Sequence, residues 1–109
     1  MKIQKGLGKM EKKNKSVSIV MLVYNEADII ENVIREYYDK VFLKLEDAEF
    51  IVAEDGSTDG TKEILNRLKD ELNIRVVSGT ERKGYVKAYK DAILLPQKDV
   101  IFFTDSSGK

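Results

Sequence analysis

Four polar clusters in this chain each follow a run of apolar residues: Tyr24-Asn25-Glu26, the segment EDGSTDG at 54–60, GTERKG at 79–84, and DSSG at 105–108. Their functional groups are carboxylates, hydroxyls, a guanidinium, an ammonium and the backbone of several glycines. The sequence has no histidine and no cysteine. Imidazole bases, thiolate nucleophiles, disulfides and nitrogen or sulfur metal sites are therefore excluded, and any metal would be a hard cation held by oxygen. Anion binding, carboxylate hydrogen bonding and cation-assisted phosphate chemistry remain.

Within EDGSTDG, Asp55, Ser57 and Asp59 are side chains that brace turns and cap helices, with Gly56 and Gly60 supplying permissive backbone. Glu54 and Asp55 are neighbours, so if the strand persists they point to opposite faces; one is free to meet a ligand while the other braces the fold. Gly79 and Gly84 have the glycine spacing of a P-loop, but Tyr85 and Val86 occupy its Lys and Ser/Thr positions, so that motif is rejected. Arg82 and Lys83 precede Gly84 at an expected helix start, where a diphosphate would find N–H groups and positive charge; the other reading is a solvated basic loop. Asp105 directly follows an apolar run, where a carboxylate can reach a cation shared with phosphate oxygens, or can serve as a turn residue.

The elements that must position these clusters follow from hydrophobic periodicity. VSIVMLVY at 17–24 is a continuous apolar run rich in β-branched residues, the pattern of a strand buried on both faces of a parallel sheet. Ile29, Ile30, Val33, Ile34, Tyr37 and Tyr38 recur at helical spacing, with Asn25 or Asp28 as expected caps. FIVA at 50–53 is a second strand, and Asp59 is the expected N-cap of a helix carrying Ile64, Leu65, Leu68 and Leu72 and stopping near Asn73. IRVVS at 74–78 is a third strand, residues 84–95 a helix ended by Pro96, and VIFFT at 100–104 a fourth strand. The order β-α-β-α-β-α-β with short connections predicts an α/β, Rossmann-like parallel sheet with helices on both faces and strand order 3-2-1-4. Such sheets bind ligands at the carboxyl ends of their strands, the edge that receives all four clusters.

Taken together, VSIVMLVYNEADIIENVI, FIVAEDGSTDGT, ERKGYVKAYKDAI and DVIFFTDSSGK resemble the nucleotide-sugar-binding half of the inverting family-two glycosyltransferases with the A-type fold, a group that includes the dolichyl- and polyprenyl-phosphate sugar transferases. The likeness runs from about Ser16 to Lys109. It implies that Tyr24 and Glu26 cradle base and ribose, that Asp55 accepts a hydrogen bond from the base, and that Lys83 and Gly84 form the basic-glycine turn near base and diphosphate. It further implies that Asp105 is the first acid of a D-x-D motif holding Mg²⁺ or Mn²⁺ against the diphosphate of a UDP- or GDP-sugar. Ser107 stands where the second acid is usual. The acceptor half and its general base are not represented in this segment, so no catalytic base is assigned, and the chain is expected to bind a donor without transferring its sugar. Exposed apolar surface and an open strand edge are then expected to drive self-association. The alternative reading is a non-catalytic, self-associating α/β module that keeps the scaffold.

Composition fits these expectations. At 109 residues, 42% hydrophobic and 35% charged, the sequence suits one soluble domain. Its 19 basic and 19 acidic residues cancel, which does not nominate nucleic acid as a partner. Six of the lysines fall in residues 1–15 with a single acid, Glu11, so this stretch reads as a flexible basic arm, either a solubilising tail or a peripheral contact with anionic headgroups. No apolar run approaches the ~20 residues needed to span a bilayer. The absence of cysteine fits a reducing compartment, and the expected location is cytoplasmic or membrane-peripheral.

Overall fold

A computed structural model describes residues 16–106. The basic arm at 1–15 and Ser107 lie outside the described residues. The elements are β1 (Val17–Val23), α1 (Ile30–Lys40), a 3-10 turn (Phe42–Lys44), β2 (Ala48–Glu54), α2 (Thr61–Glu71), β3 (Arg75–Ser78), α3 (Tyr85–Ala92) and β4 (Val100–Asp105). All pairings are parallel, and the strand order is β3-β2-β1-β4, as the element order predicted.

The continuous apolar run of β1 makes it a central strand, and Ile19, Val20 and Met21 have no solvent exposure. Alternate residues divide between two cores. Ile19, Met21, Val23, Phe50 and Val52 face α1 and α2, where Ile30, Ile34, Leu65 and Leu68 close over them. On the opposite face Val20, Leu22 and Ile51 meet Ala92 of α3, with Phe103, Val77 and Leu95 at the margin. The Tyr89 and Phe103 rings stack there with centroids 4.5 Å apart. β4 is aligned from below: the Ser18 hydroxyl donates to Glu49 (2.5 Å) and accepts from the Lys98 N–H (3.2 Å), while the Gln97 N–H donates to the same Glu49 carboxylate (2.7 Å).

Helix boundaries differ from the sequence reading for identifiable reasons. Neither Asn25 nor Asp28 caps α1, which begins with no side-chain cap. Instead the Glu26 carbonyl accepts from the N–H groups of Ile29 and Ile30, while Asn25, with φ +46°, turns its side chain to the Thr58 N–H. Asp59 lies one residue outside the expected capping position: Gly60 is the N-cap residue, but Asp59 Oδ1 still accepts from the Thr61 N–H at 3.1 Å. α2 ends at Glu71. α3 stops at Ala92 instead of continuing to Leu95; the next residues tighten into turns in which Leu94 and Leu95 donate to Asp91 and Ala92, just ahead of Pro96.

Candidate functional site

The loops after β1 and β2 are tied to each other by their polar side chains. Ser57 Oγ accepts from the Asn25 N–H at 2.9 Å, Asn25 Oδ1 accepts from the Thr58 N–H at 2.8 Å, and Asp59 Oδ2 accepts from the Ala27 N–H at 3.2 Å. Buried Thr61 completes the set: its hydroxyl accepts from the Glu26 N–H at 3.1 Å and donates to Asp59 Oδ1 at 2.5 Å. The Thr61 hydroxyl bond, with the Ala27 and Thr61 N–H groups, holds the Asp59 carboxyl below its ordinary value. Ser57, Asp59 and Thr61 are therefore internal braces, which fixes Tyr24 and Glu26 at the sheet edge.

The two adjacent acids divide as their alternation requires. Glu54 turns into the α1/α2 side and is 4% exposed, bonded to the Ser57 N–H and, at 2.9 Å, to Lys62 Nζ. Burial pushes the Glu54 carboxyl up, but the bonds from Ser57 and Lys62 outweigh it and leave it below its ordinary value. Asp55 turns the other way, and its two oxygens accept from the N–H groups of Lys83 (2.9 Å) and Gly84 (3.1 Å). A carboxylate has about four acceptor sites, so Asp55 keeps capacity for a ligand donor. Gly84 must be glycine for this turn because its φ of +94° with ψ of 158° is open only to a residue without Cβ.

Tyr24, Glu26, Asp55 and Asp105 all line one cleft of about 160 Å³, together with Leu22, Arg82 and Ser106. It opens at the carboxyl ends of β1, β2 and β4. The Gly84 backbone joins it through Asp55, whereas the Lys83 side chain leaves it and pairs with Asp91 of α3. That pairing raises the Lys83 ammonium and lowers the Asp91 carboxyl relative to their ordinary values. The cation inside the cleft is Arg82, whose guanidinium carbon sits 4.0 Å from the centre of the Tyr24 ring. Sequence flagged Arg82 as a basic neighbour of Gly84, but its partner is 58 positions away and only the fold brings them together. Among the described residues no group of three or more acids could hold a metal ion.

A parallel α/β sheet of this order, with aromatic, acidic and basic groups converging at its carboxyl edge, defines a Rossmann-like domain. The family model for glycosyl transferase family 2 matches residues 18–106, and the chain belongs to that family. It is 38% identical over 93 residues to glycosyltransferase AglD of Haloferax volcanii and 36% identical over 92 residues to a poly(ribitol-phosphate) beta-glucosyltransferase of Bacillus spizizenii. Each match covers 83% of this chain, which spans only 15% and 14% of those two curated relatives. Among solved structures, the mannosyltransferase PcManGT from Pyrobaculum calidifontis, in complex with GDP-Man and Mn²⁺, aligns with a TM-score of 0.71 at 28% identity, covering 83% of this chain and 27% of that one. Residues 1–349 of S. aureus TarS align with a TM-score of 0.70 at 26% identity, covering 84% and 27%.

Proposed function

We propose that this chain is the donor-binding part of a metal-dependent inverting glycosyltransferase and that its ligand is a nucleoside-diphosphate sugar, UDP- or GDP-linked. The observation that carries the reading is the convergence of Tyr24, Glu26, Asp55, Arg82 and Asp105 in one cleft at the sheet's carboxyl edge. The GDP-Man and Mn²⁺ held by the Pyrobaculum relative support the same ligand class. In this reading the Tyr24 ring supplies a stacking face, Glu26 meets the ribose, and Asp55 accepts from the base while its other lone pairs hold the 83–84 turn. Arg82 and the N–H groups at the start of α3 face the diphosphate. Asp105 would hold Mg²⁺ or Mn²⁺, which when bound stabilises the negative charge that grows on the departing diphosphate. No described residue is assigned as catalytic base.

The test is an amide NMR titration with UDP and with GDP, each with and without Mg²⁺. Metal-dependent shifts at Tyr24, Glu26, Asp55, Arg82 and Asp105 are expected. A folded spectrum that moves with neither nucleotide would sink the reading. A second reading, a self-associating module without donor binding, is favoured by the exposed Val86, Leu94, Ile101 and Phe102 around α3 and β4. Concentration-dependent sedimentation in a protein silent to both nucleotides would establish it.

A further inference from the structure

Lys62 lies in the first turn of α2, where the helix dipole disfavours a cation. Its position is compensated by two acceptors: the Glu54 carboxylate, whose side chain has no solvent exposure, and the carbonyl of Gly79. Gly79 is fixed at its other end as well, its N–H donating to the Glu54 carbonyl at 2.8 Å. From there the chain runs through Glu81 and Arg82, which pass directly over Gly56, to the two N–H groups bound by Asp55. Lys62 itself is not among the residues lining the Tyr24 cleft.

We propose that Lys62 is a positioning residue for the donor site: its ammonium bridges the buried Glu54 carboxylate to the Gly79 carbonyl and thereby sets loop 79–84, holding Arg82 over Tyr24 and the 83–84 N–H groups on Asp55. Its effect on nucleotide affinity rests on the donor-binding reading; its effect on the loop does not. An unpaired carboxylate at the position of Glu54 would be costly, so loss of the ammonium forces Glu54 to find water or a proton, and the start of the loop is released. The ammonium is a short tether with three donors, enough for both acceptors at once.

The experiment compares wild type, Lys62→Met and Lys62→Arg in the full 109-residue chain by amide hydrogen exchange without nucleotide, followed by titration with UDP and GDP in the presence of Mn²⁺. In Lys62→Met the Lys83 and Gly84 amides should exchange about tenfold faster while those of β1 and β2 keep their protection, as loss of the charge-assisted hydrogen bond to the Gly79 carbonyl predicts. Nucleotide Kd should rise about tenfold, and Lys62→Arg should restore most of both. Unchanged exchange at Lys83 and Gly84 would overturn the proposal. So would a Lys62→Met chain that unfolds or loosens loop and sheet together, because Lys62 would then serve the fold at large. Wild-type protein that binds neither nucleotide would remove the donor reading, and the exchange data would still decide whether Lys62 sets the loop.

Discussion

On one face of the sheet, α1 and α2 bury ten core residues and are joined across their outer surfaces by Glu31, which bonds both Arg35 and Arg67. On the other face, among the described residues, one helix of eight residues packs its buried Ala92 on Val20, Leu22 and Ile51, and Val86 and Leu94 remain 65% and 79% exposed. The cleft takes one wall from each half. Tyr24 and Glu26 belong to the braced loops on the α1/α2 side, whereas Arg82 and the 83–84 turn belong to the less enclosed side and are held by Asp55. One side is densely braced and the other less enclosed, and substitutions should separate the two regimes.

The largest effect is expected where the halves touch. Gly56 has φ +73°, and a Cβ there would lie 2.5 Å from the Arg82 backbone nitrogen and against the Glu81 carbonyl carbon. Gly56→Ala should therefore cost about 4 kcal/mol, combining backbone strain with collision against main chain that cannot move aside cheaply. Urea unfolding reads it, and a loss below about 1 kcal/mol would mean that loop 79–84 moves aside and is not fixed over Gly56.

Next in size is the core under the paired helices. Leu65 is fully buried, so Leu65→Ala should cost about 3 kcal/mol, whereas Val86→Ala on α3 should stay within about 0.5 kcal/mol. Equal losses at both positions would break the comparison between faces.

This division was only partly legible in the amino-acid sequence. The strands, their order and the edge where the polar clusters gather follow from periodicities of two and 3.6 and from crossover handedness, all of which act over short stretches or whole topologies. The opposite orientations of Glu54 and Asp55 were legible for the same reason. What each acid meets was not: Asp55 finds N–H groups 28 and 29 positions later, and Asn25 exchanges a helix cap for a bond to Thr58. The choice of Arg82 over Lys83 for the cleft also depends on α3, whose Asp91 draws the lysine away. Local pattern places such residues at the site; only tertiary packing assigns their partners.

Acid should loosen the helix-covered face through Glu31. Hydrogen bonds from Arg67 and Arg35 lower its carboxyl from 4.5 to about 2. Because the folded value is the lower one, this contribution is complete above pH 4.5 and is lost as pH falls towards 2. Glu31→Gln should flatten that part of the stability profile, its small cost present near neutrality and vanishing towards pH 2, since the pairs are exposed and screened. An identical acid profile in the variant would show that the clasp between α1 and α2 adds nothing.

The smallest effect on the folded monomer is expected at Leu94. At 79% exposure its side chain has little apolar burial to lose, so Leu94→Ser in dilute protein should change stability by less than about 0.5 kcal/mol. The same substitution probes what covers the less enclosed face. If copies of the chain associate through α3 and β4, replacing an apolar contact by a hydroxyl removes burial at the interface, and sedimentation at high concentration should shift towards monomer although the monomer's own stability is unchanged. If the variant and wild type sediment alike at every concentration, this patch is not an interface between copies. The thin cover of that face by α3 would then be a property of the single chain.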